Sequence, residues 1–260
     1  MVQNQNQNQN LQNLEFWVNT QLSIEKIRIA TQIRNTHLKK QGRTDENTEK
    51  LLEHLKSVEK FVDNTVANMI KSHPAYYWFS KVKGVGKENI GKVIGQLKMI
   101  NSENKDVAPH ISSFWQFAGF GMEKDGTIQK RKKGQKTSYN ITLKTMVWRL
   151  TKSLIRAKGK FYDYYKNQKD VYVERFKNQG YKIVPSSELP EKSGKKYEPE
   201  GVISVGHIEK MAFRKTAKLF LACLWLTWRE AERLPLTKPY AIEKLEHSHM
   251  LDPWDFADKK

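Results

Sequence analysis

Residues 79–97 read Phe-Ser-Lys-Val-Lys-Gly-Val-Gly-Lys-Glu-Asn-Ile-Gly-Lys-Val-Ile-Gly-Gln-Leu. Two glycines, Gly84 and Gly86, flank one apolar residue between two segments whose apolar residues recur at helical spacing. Glycine adopts positive φ without steric cost, so this spacing predicts a short helix, a tight turn and a second helix. The N–H groups at the start of the second helix, together with the helix dipole, would then form a seat for a phosphate group.

Lysines lie on both sides of this predicted turn. The pattern is typical of a helix-hairpin-helix, a module that holds the nucleic-acid backbone and does not read its sequence. An ordinary helix–helix turn capped by glycine is the alternative interpretation. The residues predicted to bind nucleic acid here are Lys81, Lys83, Gly84, Val85, Gly86, Lys87 and Lys92.

A second basic segment follows in residues 123–160, where twelve Lys or Arg residues face only two acids, Glu123 and Asp125. Part of this charge recurs at helical spacing after a Gly-containing loop. A basic loop next to a basic helix face suits a phosphate backbone, although a solvated charged face is the alternative. The residues predicted to bind nucleic acid in this segment are Lys130, Arg131, Lys132, Lys133, Lys136 and Lys144.

Composition supports the same partner class. The 260 residues carry 46 Lys and Arg against 28 Asp and Glu, a formal net charge of +18. Such an excess repels itself unless a polyanion is bound, so we expect a nucleic-acid partner, DNA first and RNA as the alternative. The sequence has no apolar run of about 18 residues and no signal peptide, so neither a membrane span nor a membrane partner is predicted. The single cysteine, Cys223, suits a reducing cytoplasm.

Apolar periodicity predicts a mainly α fold, in which an N-terminal antiparallel helical hairpin precedes the helix-hairpin-helix and a helical bundle. Strand-like alternation is scarce. The predicted divisions are a disordered Gln/Asn tail (1–12), the helical hairpin (13–75), the helix-hairpin-helix with a basic helical domain (76–179), a mobile connector (180–204), a C-terminal helix (205–234) and a tail (235–260).

Signals for catalysis are weaker. The carboxylates are scattered and do not have the spacing of a metal-dependent nuclease, so no metal or other cofactor is predicted. His247 and His249 could bind a metal, but a polar tail is the favoured interpretation. Ser138 could act as a nucleophile near the start of a helix, with helix N-capping as the favoured alternative. Thr127 is the other candidate nucleophile. Because these signals are weak, an enzymatic function is not the leading hypothesis.

Several blocks together resemble the C-terminal domain of an insertion-sequence transposase family. They are Val-Lys-Gly-Val-Gly-Lys at 82–87, Phe-Trp-Gln-Phe-Ala-Gly-Phe at 114–120, and Lys-Arg-Lys-Lys-Gly-Gln-Lys-Thr-Ser-Tyr-Asn at 130–140, followed by the helix from Leu143 to Leu150. That family joins a DEDD, RuvC-like nuclease domain to a serine-bearing helical domain and works with a guide RNA. The resemblance covers roughly residues 76–165 and implies DNA binding and recombination.

The chain departs from that pattern in two ways. Its first 75 residues supply no DEDD tetrad, and the loop after the Ala-Gly pair contains no serine, so Thr127 or Ser138 would have to substitute. The leading hypothesis is therefore an intracellular DNA-binding protein of a mobile element or virus that grips duplex or branched DNA. A serine-dependent transposase or recombinase subunit, an RNA-binding component of a guide-RNA particle and a structural protein are the alternatives. A homo-oligomer remains open.

Overall fold

The structure, a computed structural model, describes residues 13–101, 103, 105–123, 125–237 and 252–259. It is mainly helical, as the sequence predicted. The chain divides into two compact units. Unit 1 comprises residues 1–76 and 86–107, and unit 2 comprises residues 77–85 and 108–260. The prediction of a disordered tail over 1–12 lies outside the described residues.

Unit 1 is built on the predicted helical hairpin, formed by α1 (Val2–Lys40) and α2 (Glu46–Met69). Asp45 caps α2, because its side chain accepts hydrogen bonds from the amides of Asn47 and Thr48. Leu14 and Val18 of α1 are buried, as are Leu52, Val62 and Val66 of α2. The buried face of α1 also includes the polar residues Gln21, Thr31 and Asn35, so the hairpin packs through a partly polar face on that helix.

The rest of unit 1 packs on this hairpin. A 3₁₀ turn (Ile70–Ser72) follows α2, and α4 (Lys87–Ile94) packs against both α1 and α2. Two glycines permit the close approach: a Cβ added at Gly91 would lie 2.5 Å from a methyl carbon of Val66, and one at Gly95 would lie 2.6 Å from Val18. No larger residue fits at either position without displacing a helix.

Unit 2 surrounds α8 (Val205–Ala231), whose residues 219–225 are all buried. The helices α5 (Ile111–Phe117), α6 (Ile141–Ala157) and α7 (Lys160–Asn178) pack against it. The Trp225 indole donates to the carbonyl of Ala108 at 2.8 Å, which satisfies a polar group inside the core. Phe220 contacts the rings of both Trp78 and Phe161.

Helices α6 and α7 are separate, although they adjoin in the sequence. Lys158 ends α6 in the left-handed conformation at φ 52°, and Gly159 precedes α7. A Cβ at Gly159 would lie 2.5 Å from the carboxylate of Asp258, so this break depends on a glycine. The two helices can therefore take different directions around α8.

Residues 180–204, predicted as a mobile connector, contain ordered strands. Strand β1 (Lys182–Val184) pairs in parallel with β4 (Val202–Ser204), and β2 (Glu191–Lys192) pairs antiparallel with β3 (Lys195–Lys196). The carboxylate of Glu198 accepts from the Ser204 amide at 2.8 Å and contacts the His207 ring at 2.7 Å. This segment thus leads directly into the start of α8.

The end of the chain also packs into unit 2. Pro253–Phe256 form a 3₁₀ turn, and the carbonyl of Pro253 accepts a hydrogen bond from the Trp78 indole at 2.8 Å. Phe256 packs against Phe161 at a centroid distance of 5.3 Å. In the described part of the chain, no helix combines the length and apolarity that a membrane crossing needs.

Candidate nucleic-acid interface

The predicted helix-hairpin-helix is not a single module in the structure. Its first helix is the four-residue α3 (Tyr76–Phe79), and the turn up to Val85 belongs to unit 2. Its second helix, α4, starts at Lys87 with Gly86 as the N-cap and belongs to unit 1. Residues 81–87 are therefore shared between two units, and the boundaries predicted for a domain over 76–179 cut across both.

Gly84 has a packing role. It adopts φ +91°, and a Cβ there would lie 2.7 Å from Ala157 and 2.9 Å from the Cα of Leu154. The turn thus lies directly against the backbone of α6, which explains why this position needs glycine. The glycines were correctly predicted to form a tight turn. The Cα of Gly84, however, lies against α6 of the chain itself.

The backbone amide of Lys83, just before the predicted turn, binds a carboxylate of the chain itself. The Lys83 amide donates to Asp258 Oδ2 at 2.7 Å, and the amide of Lys160, the first residue of α7, donates to Oδ1 at 2.9 Å. A carboxylate at a helix N-terminus is favourable because it complements the dipole. The phosphate seat was predicted at the start of α4, where Gly86 is the N-cap and makes no side-chain hydrogen bond, so that seat stays a prediction.

The lysines of this predicted motif differ in their surroundings. Lys92 is buried and forms an ion pair with Glu25 at 2.8 Å, so its assignment to a nucleic-acid surface was wrong. Lys81 donates to the Tyr77 hydroxyl at 2.8 Å and lies over that ring. The side chains of Lys83 and Lys87 are exposed, and their assignment stays a prediction.

The basic loop, residues 130–136, is exposed throughout. Its five cations are Lys130, Arg131, Lys132, Lys133 and Lys136, and none of them forms a salt bridge with a carboxylate in the described part of the chain. Exposed and unpaired cations of this kind are available to a phosphate backbone.

Buried Gln129 anchors the start of this loop. Its side-chain oxygen accepts from the Gly121 amide at 2.9 Å, and its side-chain nitrogen donates to the Ser138 hydroxyl at 3.2 Å. Its carbonyl accepts from the ammonium of Lys144 on α6 at 3.0 Å. The two ends of the basic loop are thereby held beside Lys144.

Four further cations, which we call the cation cluster, lie beside the root of the loop. They are Lys144 on α6 and Arg214, Lys215 and Lys218 on α8. Arg214 donates to the carbonyls of Phe120 and Gly121, the latter at 2.7 Å. These hydrogen bonds hold the segment between α5 and the basic loop against α8. Among the described residues, no carboxylate forms a salt bridge with any member of the cluster.

Two lysines of the cation cluster lose their protons more readily than ordinary lysines. Burial, followed by the charge of Arg214, lowers the pKa of Lys144. Burial, followed by the charges of Arg214 and Lys215, lowers the pKa of Lys218 to about 8. Like charges held together at partly buried positions oppose folding, and an anion placed among them would remove that cost. The cluster therefore has the electrostatic character of an anion site.

Aromatic rings hold these cations in place. The Lys218 ammonium lies 3.9 Å from the ring centroid of Trp115, whose indole donates to the Lys218 carbonyl at 3.0 Å. The Lys144 ammonium lies 4.4 Å from the Tyr139 ring centroid. Gly119 makes room for this pair, because a Cβ there would lie 2.7 Å from Tyr139. Rings stabilise cations without neutralising them, so the positive charge stays available.

Both candidate nucleophiles are held in local hydrogen bonds. The Thr127 hydroxyl donates to Asp125 at 2.7 Å within a turn. The Ser138 hydroxyl accepts from Gln129 and donates to Glu123 at 3.4 Å. Asn140, two residues after Ser138, caps α6 by accepting from the Leu143 amide, so the predicted capping role of Ser138 was wrong.

The residues that could ligate a metal ion do not form a metal site in the part of the chain that the structure describes. No group of three or more His, Cys, Asp or Glu residues suited to a metal ion occurs among the described residues. His247 and His249 lie outside those residues. Cys223 is buried in α8, and burial raises the pKa of its thiol.

Sequence reasoning missed three members of the cation cluster: Arg214, Lys215 and Lys218. A signal was present for Arg214 and Lys218, because these two partly buried cations lie within the mostly apolar stretch from Met211 to Trp228 of α8. Isolated cations in a core helix are expensive to bury, which often indicates a functional position. Their grouping with Lys144 depends on how α6 and α8 pack, and local sequence does not give that packing.

Comparisons with known proteins found no match for this chain among protein-family models, curated proteins or solved structures.

Proposed function

We propose that this chain binds nucleic acid through the cation cluster and the basic loop of unit 2. The observation that carries the proposal is that the cation cluster of α6 and α8 lies beside the five exposed cations of the basic loop. No carboxylate among the described residues forms a salt bridge with either group. A phosphate backbone supplies a row of anions that matches both parts. Burial, followed by repulsion among the cations, lowers the pKa values of Lys144 and Lys218, and nearby phosphates would offset that repulsion.

Binding of this kind is largely independent of sequence, because contacts to phosphates carry no base identity. The choice of DNA as the principal target rests on the resemblance of residues 82–87, 114–120 and 130–140 to the transposase domain. On that basis we propose a DNA-binding protein of a mobile element or virus. The target would be duplex or branched DNA, gripped by its backbone.

A salt titration of the full chain tests this proposal. Fluorescence anisotropy with labelled DNA and RNA of equal length should give log affinity that falls linearly with log salt. The slope should be about 0.9 per neutralised phosphate for duplex DNA. A loss of all affinity for both DNA and RNA even at low salt would overturn the proposal, and tighter binding to structured RNA would reassign the target.

A serine-dependent transposase or recombinase subunit is the second candidate. The observation that favours it is the position of Ser138 at the root of the basic loop, within 3.4 Å of the Glu123 carboxylate. Incubation with DNA followed by denaturing electrophoresis would reveal a covalent adduct. An adduct that disappears in Ser138→Ala would support this activity, whereas the absence of an adduct would leave a purely binding role.

A further inference from the structure

Trp148 is the most exposed tryptophan among the described residues of the chain, at 48%. It lies in the middle of α6, whose opposite face is buried core. The Phe213 ring of α8 packs against it at a centroid distance of 5.8 Å and an interplanar angle of 38°. The indole therefore packs against a second ring on one side and exposes almost half of its surface to solvent.

This indole lies within the positively charged surface. On α6 it is one helical turn after Lys144 and one turn before Lys152, so both cations share its face. The Lys152 ammonium lies 5.1 Å from the indole centroid. Its partner ring, Phe213, directly precedes Arg214 of the cation cluster. A flat apolar surface is thus bordered by cations on both helices.

We propose that Trp148, supported by Phe213, stacks an unpaired base, so that the DNA segment held at this surface is single-stranded or the open part of a branch. This inference rests on the proposed function. Bases within an intact duplex stack on one another and leave no face for an indole, whereas every unpaired base has a free π-face. Phosphates on either side of the stacked base would lie near Lys144 and Lys152.

Lys152 has a defined place in this arrangement. In the free protein its ammonium covers the indole, as a cation does over an aromatic ring. A base that stacks on the indole would displace that ammonium, and the ammonium could then pair with the adjacent phosphate. The same two side chains thereby serve the base and the backbone of one nucleotide.

The test compares oligothymidine of about 16 nucleotides with a duplex of the same length, by anisotropy across a range of salt concentrations. We expect Trp148→Ala to weaken binding to oligothymidine about 5- to 100-fold and to leave duplex affinity within about twofold. The salt slope should not change, because no cation is removed. Trp148→Phe should restore part of the affinity, since it retains an aromatic face and the packing on Phe213.

Tyr197→Ala is the matched control, because Tyr197 is an aromatic residue of similar exposure, 47%, in the segment before β4. It should change neither affinity. If Trp148→Ala weakens both DNA forms equally, or neither, the stacking site is refuted while salt-dependent binding still supports the proposed function. If the wild-type chain binds neither form, both proposals are refuted.

Discussion

Lys218 lies one helical turn after Arg214 on α8, and burial, followed by repulsion from that guanidinium, lowers its pKa to about 8. Lys215 adds to the same repulsion. An ordinary lysine titrates near 10.5, so this position loses its charge at a much lower pH. The chain thus holds a cation whose charge changes close to the range of ordinary binding assays.

DNA affinity should therefore fall as the pH rises through 8. Between pH 8 and 9 we expect a loss of about fivefold from this one group, because only its protonated form attracts phosphate. Lys218→Arg keeps its charge and should show a flatter pH profile. Anisotropy at constant salt measures both, and parallel profiles for the two proteins would contradict the assignment of Lys218 to the interface.

Folding stability should respond to Lys218 in the opposite direction. Its pKa is lower in the folded protein than in the unfolded chain, so the unfolded chain binds more protons between pH 8 and 10.5. Stability contributed by this group consequently rises with pH across that window. Urea unfolding at several pH values should show the rise in the wild type and its absence in Lys218→Arg.

Lys92 should act in folding and not in binding. Its ion pair with Glu25 is largely shielded from solvent, and removal of one partner leaves a buried charge without its counterion. We expect Lys92→Gln to reduce the free energy of unfolding by about 3 kcal/mol and to leave DNA affinity unchanged in protein that remains folded. Lys87→Gln, on the exposed first turn of the same helix, should leave stability nearly unaltered.

The two glycines of the predicted turn should behave differently. At Gly84 a serine would adopt φ +91° and place its Cβ 2.7 Å from Ala157, so we expect Gly84→Ser to cost about 1–3 kcal/mol. At Gly86, φ is −76°, the nearest atom is 3.9 Å away, and serine is a good N-cap, so Gly86→Ser should be tolerated. Thermal unfolding distinguishes them. Loss of DNA affinity in both variants without loss of stability would support the phosphate seat predicted at the start of α4.

Asp258 tests whether the Lys83 amide and the first amide of α7 act in folding or in phosphate binding. Asp258→Ala removes two hydrogen bonds, to the amides of Lys83 and Lys160, and should lower stability by about 1–3 kcal/mol. Asp255→Ala removes the same charge from an exposed position and is the control. DNA affinity should be similar in the two variants. A selective gain in affinity for Asp258→Ala would mean that the freed amides bind phosphate.

The sequence predicted most helices because their apolar residues recur at helical spacing, as in α2 and α8. It did not predict the pairing of β1 with β4, since these strands are three residues long and separated by 17 residues. The packing of Phe256 on Phe161 was missed for the same reason: contacts across about 95 residues leave no local pattern.

Part of the candidate interface was also predictable. The basic loop and Lys144 were identified from the density of positive charge, which is a local property. The cation cluster was not, because it forms only when α8 brings Arg214 and Lys218 to Lys144. The Gly-x-Gly signal was correct for backbone geometry, and Gly84 has a packing role against α6 that the sequence did not reveal. The phosphate seat at the start of α4 stays a prediction.

The most direct test compares two variants that each lose four positive charges, one from the basic loop and the other from the helical hairpin of unit 1. Lys130, Arg131, Lys132 and Lys133 of the basic loop are changed to Ala in one variant, and Lys26, Lys40, Lys56 and Lys60, exposed on α1 and α2, in the other. Each set lowers the formal net charge from +18 by four. We expect the loop variant to weaken binding to all DNA sequences and to reduce the salt slope by about 3 to 4, with the hairpin variant close to wild type. Equal losses in the two variants, or unchanged affinity in the loop variant, would contradict a localised phosphate-binding surface on unit 2.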